Sequence, residues 1–182
     1  MESITRYLEG GLGLPVNKEK SRVAPIKDVA FLGFQILRGK LRVSNGAREK
    51  FKKKVKELTK RNNPLSMRQV ILALNKYLAG WVTYFCIQEF RQLFRHLDEW
   101  VRNRLRSIQL KKWKKPAKFQ RIMIRAGYNP SDARKTWVKM DRWQSVERKE
   151  VLFTLNLGWF KRQGLMFLNE YTNRALELQF TH

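Results

Sequence analysis

The sequence predicts a mainly α-helical protein with a small β-hairpin near its N-terminus. Two observations favour this fold class. Residues 29–43 are rich in β-forming side chains, whereas apolar residues beyond them recur every three or four positions. The clearest helix lies in the second half of residues 77–115, where the apolar side chains share one face. They are Phe90, Leu93, Phe94, Leu97, Trp100, Val101, Leu105 and Ile108.

The first 45 residues predict a short amphipathic helix followed by the hairpin. Residues 29–36 form the first predicted strand, and Arg38 and Gly39 separate it from a second strand over residues 41–43. Gly33 lies inside the first strand. A glycine there indicates either a bulge or a close approach of the backbone to a neighbouring group.

After the hairpin the sequence predicts a three-helix bundle and then further, less regular helices. Pro64 ends the first helix, and Ser66 with Gln69 forms a capping box that begins the second. Gly80 is expected to relieve or bend the second helix. The long central helix follows it, and Pro116 ends that helix.

The net charge of +24 and the pI near 10.7 restrict the class of partner. A surface this positive repels itself unless it meets a polyanion, so nucleic acid is the favoured partner. Apolar residues make up 43% of the chain, which argues against global disorder. A membrane surface is disfavoured as the partner because the Arg-rich stretches alternate with Trp and Phe that the core needs. No apolar run is long enough to span a bilayer. We therefore expect a soluble, intracellular protein.

Basic side chains on the helices are the candidate binding residues. Between Arg102 and Arg125 there are ten Lys or Arg residues and no Asp or Glu, which favours a phosphate-binding surface over a merely solvated one. Trp113 lies among four lysines and is a candidate for base stacking, although a tryptophan packed on the core fits the same helical spacing. The predicted set is Lys50, Lys53, Lys54, Arg91, Arg95, Arg102, Arg104, Arg106, Lys111, Lys112, Trp113, Lys114, Lys115, Lys118, Arg121 and Arg125.

The sequence predicts no catalytic residue and no metal site. Cys86 is the single cysteine, and one thiol with two histidines makes no metal-binding set. Asp98 and Glu99 are adjacent acids. Their helical spacing from Arg95 and Arg102 favours ion pairs over a catalytic role.

Short fragments of the sequence occur in an order that is found in a known family. They are Val16-Asn17-Lys18-Glu19-Lys20-Ser21, Phe31-Leu32-Gly33-Phe34, Leu74-Asn75-Lys76-Tyr77-Leu78-Ala79-Gly80-Trp81, Tyr84-Phe85, Leu97-Asp98-Glu99-Trp100, Arg142-Trp143, Leu155-Asn156 and Gly164-Leu165. Together they resemble the C-terminal part of the bacterial group II intron maturases, which are reverse transcriptases. The resemblance covers nearly the whole chain.

The resemblance implies three units. Residues 1–45 would be a remnant of the polymerase palm, residues 46–115 the thumb and maturase-specific domain, and residues 116–182 a helical maturase extension. The fragment Phe31-Leu32-Gly33-Phe34 would correspond to the primer grip. Group II intron RNA is the implied partner, with target DNA and a separate polymerase half as further partners, in the bacterial cytoplasm.

The metal-binding motif of the parent polymerases is missing from this sequence. Those enzymes use an aromatic-x-Asp-Asp motif to hold two Mg²⁺ ions, and here no two aspartates are adjacent. The motif would be expected before residue 1. We therefore expect no cofactor and no polymerase activity from this chain alone.

Three functions follow from these observations. The first is an RNA-binding maturase module that assists intron folding and splicing while the RNA performs the chemistry. The second is the C-terminal half of a split or truncated reverse transcriptase, active only with the palm and fingers supplied by another chain. The third is a remnant of a mobile element without a function, whose hairpin would have exposed edges prone to aggregation.

Overall fold

Helices make up most of the molecule, and a small sheet precedes the longest of them, as the sequence predicts. The structure is a computed structural model that describes residues 2–17, 21, 24–136 and 143–179. Of the fragments quoted above, Lys18, Glu19, Lys20 and Arg142 lie outside the described residues. The α-helices of the described residues are α1 (Glu2–Arg6), α2 (Asn45–Leu58), α3 (Met67–Phe85), α4 (Gln92–Trp113), α5 (Pro116–Arg125), α6 (Pro130–Lys135), α7 (Lys149–Thr154), α8 (Leu157–Arg162) and α9 (Leu168–Gln179).

Two tight turns fold residues 30–43 into a three-stranded antiparallel sheet. The prediction of one strand over residues 29–36 is wrong, because the chain reverses at Leu32 and Gly33 and pairs Phe31 with Phe34. The predicted reversal after residue 37 is confirmed. The strands are β1 (Ala30–Phe31), β2 (Phe34–Leu37) and β3 (Lys40–Val43).

Both turns have the geometry that suits the right-handed twist of paired strands. The φ angles are 49° at Leu32 and 81° at Gly33 in the first turn, and 53° at Arg38 and 73° at Gly39 in the second. Two residues with positive φ make a type I′ turn, in which glycine is favoured and a leucine or arginine is strained. The glycine at the second position of each turn therefore makes the reversal possible.

Gly33 is also the point where the sheet touches the helices. A Cβ atom at Gly33 would lie 3.1 Å from Cζ of Phe85 on α3, which is closer than normal packing allows. The Gly33 carbonyl accepts a hydrogen bond of 2.8 Å from the N–H of Ser44, the residue that caps α2. The predicted close approach of the backbone is confirmed, and the residue lies in a turn.

One edge of the sheet is covered by the connection between α3 and α4. The N–H of Leu41 donates to the Glu89 carboxylate at 2.8 Å, and the Leu41 carbonyl accepts from the Glu89 N–H at 2.9 Å. Glu89 thus satisfies both outward-facing backbone groups of this residue. The expectation of freely exposed hairpin edges is therefore wrong for β3, because capping of this kind blocks the pairing of another strand.

Serine side chains cap the starts of α2 and α3. The hydroxyl of Ser44 accepts from the N–H of Ala47 at 3.2 Å and begins α2. Ser66 and Gln69 form the predicted capping box at the start of α3. Capping supplies partners for backbone N–H groups that a helix cannot satisfy internally. Gly80 lies inside α3 and does not end it.

The long central helix is shorter at its start than its apolar periodicity indicates. It begins at Gln92, and the chain from residue 86 to 91 forms a turn that leaves Phe90 outside the helix. Gln88 is 3% exposed, and its amide bonds the backbone of Phe90 twice, donating to the carbonyl at 2.9 Å and accepting from the N–H at 3.0 Å. This buried side chain replaces the helical hydrogen bonds and turns the chain.

Aromatic side chains form the centre of the core between α2, α3 and α4. The ring of Trp81 lies 4.5 Å from that of Phe51, 4.7 Å from Phe85 and 6.0 Å from Phe94, measured between centroids. Pairs at these separations stabilise a core beyond the area that they bury. Trp81 therefore lies in the core, whereas Tyr84 on the same helix is 50% exposed.

The C-terminal helices close over the bundle. Helix α9 packs against α3 and α4, and Asn75 of α3 fixes the approach to it. The amide of Asn75 donates to the carbonyl of Gly164 at 2.7 Å and accepts from the N–H of Met166 at 3.0 Å. Within the described residues, no helix has the length and apolar character needed to cross a membrane.

We expect Gly33→Ala to destabilise the protein more than Gly39→Ala. Both substitutions place a Cβ at positive φ, but only the one at Gly33 meets a ring, because nothing lies within 4 Å at Gly39. The difference in unfolding free energy, measured by urea denaturation, should be roughly 1 kcal/mol or more. Equal losses for the two variants would contradict the close packing of the turn on Phe85.

Candidate nucleic-acid interface

The predicted basic residues that are exposed fall into three groups. Lys50, Lys53 and Lys54 lie on α2, where Lys54 is paired with Glu57 at 3.4 Å. A second group, Arg91 and Arg95, lies around the start of α4. The third lies at the end of α4 and on α5, and consists of Lys111, Lys114, Lys115, Lys118, Arg121 and Arg125.

Helix α5 presents three cations on one face. Phe119 and Met123 point into the core, being 1% and 0% exposed. Lys118, Arg121 and Arg125 are exposed and follow one another at spacings of three and four residues. This spacing places them on the same face of the helix, over a length of about 10 Å.

A sharp turn joins α4 to α5 and exposes two lysines. Lys114 has a φ of 60°, and the N–H of Lys115 donates to the carbonyl of Trp113 at 2.6 Å across it. This three-residue turn is rare and strained for a side chain other than glycine. Pro116 then begins α5 with the fixed φ that suits a first helical position. Lys114 and Lys115 are exposed at the turn.

The end of α4 is tied to the segment that follows α2. The ammonium group of Lys111 donates to the side-chain oxygen of Asn62, and that of Lys112 donates to the carbonyl of Leu65. Lys60, at the end of α2, is exposed nearby in the chain. We call the exposed cations of this region the basic corner, which consists of Lys60, Lys111, Lys114, Lys115, Lys118, Arg121 and Arg125.

Arg104 is a structural anchor and only partly exposed. Its Nε donates to the hydroxyl of Thr59 at 3.1 Å, and its terminal nitrogen donates to the Thr59 carbonyl at 2.8 Å and the Lys56 carbonyl at 3.4 Å. Burial lowers the pKa of this guanidinium. Its guanidinium carbon lies 5.7 Å from the ring centroid of Trp143, which the sequence analysis did not select.

The assignment of Arg106 to the binding surface is wrong, because its side chain is 5% exposed. Nε donates to the carbonyl of Leu155 at 3.1 Å, and a terminal nitrogen donates to Asn103 Oδ1 at 2.6 Å. The guanidinium also lies over the ring of Phe160, 5.6 Å from its centroid. Burial and the nearby charge of Arg102 lower the pKa of Arg106 to about 10, so it stays charged at neutral pH.

The stacking assignment of Trp113 is also wrong, and the alternative of a core tryptophan is confirmed. Its side chain is 7% exposed, and its ring lies 5.6 Å from that of Phe119. The pair joins the end of α4 to α5. Trp113 therefore positions the lysines around it and leaves no open face for a base.

Two arginines of the predicted set contact α9 and the segment before it. Arg91 donates to Asn173 Oδ1 at 2.7 Å, and Arg102 lies over the ring of Phe167, 5.8 Å from its centroid. Arg95 is exposed. Arg91 and Arg102 therefore belong to a different part of the surface from the basic corner.

A comparison with protein-family models matches residues 48–127 to the group II intron, maturase-specific domain. This is the segment that begins in α2 and ends just after α5. Residues 48–127 are therefore similar to a maturase-specific domain. No curated protein sequence matches the chain. The match supports a role related to group II intron maturases, and a maturase-specific domain is not in itself a polymerase active site.

The segment that matches the maturase-specific domain contains the whole basic corner. Lys60 lies in its first part, and the cations from Lys111 to Arg125 lie in its last part. In the part of the chain that the structure describes, no group of three or more His, Cys, Asp or Glu side chains could hold a metal ion. The roles of the individual cations, and the division of the chain at residues 45 and 115, stay predictions.

The residues that resemble a primer grip lie next to the maturase-specific domain, on the sheet. Phe31 is 73% exposed and Leu32 is 66% exposed, while Phe34 is half-buried. The hydroxyl of Tyr84 donates to the Leu32 carbonyl at 2.9 Å. These residues line an open groove of about 510 Å³, together with Ile26, Val29, Gln35, Ile36, Leu41 and Ile87.

Asp98 caps a helix and does not form the ion pair that its spacing suggested. Its side chain is 5% exposed, and its two oxygens accept the N–H groups of Leu168 at 2.8 Å and Asn169 at 3.0 Å, at the start of α9. Burial raises the pKa of Asp98 to about 6, because desolvation outweighs these two hydrogen bonds and the charge of Arg102. Helix α4 therefore holds the start of α9 through a buried carboxyl group.

Three of these roles were missed because each depends on a partner far away in sequence. Asp98 bonds residues 70 and 71 positions away, and Glu89 bonds Leu41 at a separation of 48. Arg104 meets Trp143 only because the short 3₁₀ helix Trp143–Glu147 packs against α4. Within the sequence, the one available signal was an acidic residue on the apolar side of an amphipathic helix, next to Leu97 and Val101.

We expect Asp98→Asn to change how stability depends on pH. The pKa of Asp98 is raised in the folded state from 3.8 to about 6. The folded state thus binds the proton more tightly, so the added stability is fully present below about pH 3.8 and is lost as the pH rises through about 6. Relative to the Asn variant, the wild type should lose ~3 kcal/mol of unfolding free energy across that range.

Urea denaturation of both proteins between pH 3.5 and pH 7.5 measures this difference. Glu99→Gln is the matched control, since it removes a neighbouring negative charge that is exposed. A pH-independent difference between Asp98→Asn and the wild type would contradict the raised pKa.

Proposed function

We propose that this protein binds group II intron RNA through the basic corner and helps the intron to fold into its splicing-competent form. The splicing chemistry belongs to the RNA. The observation that carries the proposal is the position of the uncompensated cations, which lie inside a maturase-specific domain at residues 48–127. The stretch from Arg102 to Arg125 contains no acidic residue that would neutralise them.

The arrangement of the basic corner suits the phosphate backbone. Lys118, Arg121 and Arg125 lie along one exposed helix face, and Lys114 and Lys115 extend the row around the turn before it. Cations that neutralise phosphates release counterions from the RNA, which makes binding favourable and strongly dependent on salt. Such contacts position a protein on a folded nucleic acid without reading its sequence.

Two features of the fold hold the cations of the basic corner in fixed positions. The Trp113–Phe119 contact fixes α5 relative to α4, and the hydrogen bonds of Lys111 and Lys112 fix α4 relative to the end of α2. A pre-organised set of charges loses less conformational entropy on binding than a flexible tail does. Target DNA carries the same phosphates, so the comparison of RNA with DNA belongs to the test.

We expect the double variant Lys118→Ala/Arg121→Ala to reduce the salt dependence of RNA binding. Each phosphate contact contributes roughly 0.7 to 0.9 to the slope of log K against log salt, so the slope should fall by about 1.4 to 1.8. The measurement is a filter-binding titration of intron RNA between 50 and 300 mM KCl. A size-matched structured RNA and a DNA duplex are titrated in parallel.

Arg38→Ala/Lys40→Ala is the matched control, because it removes two exposed cations from the sheet. Its slope should stay close to that of the wild type. If both double variants lower the slope equally, the charge acts without a defined site. Equal affinity of the wild type for intron RNA, other RNA and DNA would oppose the maturase function and favour the mobile-element remnant.

A second candidate function, as one half of a reverse transcriptase, has support from the groove on the sheet. Its walls are almost entirely apolar, and its side chains include the exposed Phe31, Leu32 and Ile26. An exposed apolar patch of this kind is typical of a surface that another protein covers. We propose that the palm and fingers of a reverse transcriptase, supplied as a separate chain, would pack on this groove.

We expect Phe31→Asp to abolish primer extension by the reconstituted halves. The carboxylate would be buried without a partner when the second chain covers the groove. The measurement mixes this chain with a purified palm-and-fingers chain from a group II intron reverse transcriptase and follows DNA synthesis. Arg38→Ala/Lys40→Ala should leave synthesis unchanged. No synthesis by the wild-type mixture would remove this candidate while leaving the RNA-binding proposal intact.

A further inference from the structure

Trp143 differs from the other tryptophans of the described residues in being exposed. Its side chain is 42% exposed, whereas Trp81 and Trp113 are buried and Trp100 and Trp159 are half-buried. It begins the 3₁₀ helix Trp143–Glu147, in which Ser145 and Val146 are buried. The exposed ring is therefore held by residues that pack into the core immediately after it.

The inner side of the indole ring rests on a cation that cannot move freely. Arg104 lies 5.7 Å from the ring centroid of Trp143. Three hydrogen bonds to Thr59 and Lys56 fix the guanidinium on the other side. A cation at this distance attracts the π face of the ring and so favours one orientation of the indole.

Other basic residues lie on the segments that hold Arg104. The carbonyl of Lys56, which accepts from Arg104, belongs to the last turn of α2; Lys56 is exposed there, and so is Lys60, two residues after the helix ends. Lys111 follows Arg104 on α4 by seven residues, which places it about 10 Å further along the same helix face. Trp143 is thus an exposed aromatic residue at the border of the basic corner.

We propose that Trp143 and Arg104 form a stacking site for one unpaired nucleotide of the bound RNA. The base stacks on the exposed part of the indole ring, and Lys56 or Lys60 meets the adjoining phosphate. Stacking on an aromatic side chain within a basic surface is the usual way in which proteins hold unpaired bases. This inference rests on the proposed RNA-binding function, and it adds a contact to a base where the basic corner supplies only contacts to phosphates.

The experiment compares a fully paired RNA hairpin with a hairpin that carries one bulged nucleotide. The bulged nucleotide is 2-aminopurine, whose fluorescence changes when it stacks on an aromatic ring. The wild type should bind the bulged hairpin about 5- to 100-fold more tightly than the paired one and should change its fluorescence. Trp143→Leu keeps the apolar bulk but removes the π face, so it should lose both the preference and the fluorescence change. Trp143→Phe should keep most of each.

Tyr7→Ala is the control for loss of an exposed aromatic residue, since Tyr7 is 65% exposed and lies in the N-terminal helical segment. It should behave as the wild type. Equal binding of both hairpins by the wild type, with a normal salt slope, would overturn the stacking site and leave the proposed function standing. Absence of salt-dependent binding to either hairpin would overturn both. A preference that survives in Trp143→Leu would overturn the stacking site alone.

Discussion

Neutral oxygen atoms hold the cations of the central helix in place. Arg104 is fixed by carbonyl and hydroxyl groups, Arg106 by a carbonyl and an amide oxygen, and Lys111 and Lys112 by an amide oxygen and a carbonyl. A carboxylate partner would cancel the charge that it positions, whereas a neutral acceptor orients a cation and leaves its field available. The cations of α4 are therefore held in a fixed geometry without losing their charge to an acidic partner.

The sequence was sufficient for features that depend on neighbours in the chain. The capping box at Ser66 and Gln69, the helix start after Ser44 and the turn at Gly39 each need only residues within a few positions, and all three are present. The same holds for the exposed face of α5, because helical spacing separates Lys118 and Arg121 from the buried positions. Such features can be predicted because the interactions that stabilise them lie within a few residues of the sequence.

The sequence was insufficient where a distant segment covers a side chain. Arg106 lies on the polar side of the helix that the apolar pattern defines, yet the carbonyl of Leu155 and the ring of Phe160 enclose it. The apolar periodicity identifies one buried face of the helix, but it gives no information about a second face that later helices bury. For the same reason the candidate site was predicted as a set of charges, while Trp143, the one exposed tryptophan among the described residues, could not be separated from the five others in the sequence.

The six residues between α3 and α4 connect the long central helix to the sheet. Gln88 forms the turn that sets the direction of α4, and the next residue, Glu89, binds the edge of β3. The sheet and the central helix are consequently joined through two adjacent residues. If a ligand in the groove shifts the sheet and α4 moves with it, occupancy of the groove and the orientation of the basic corner are thermodynamically linked.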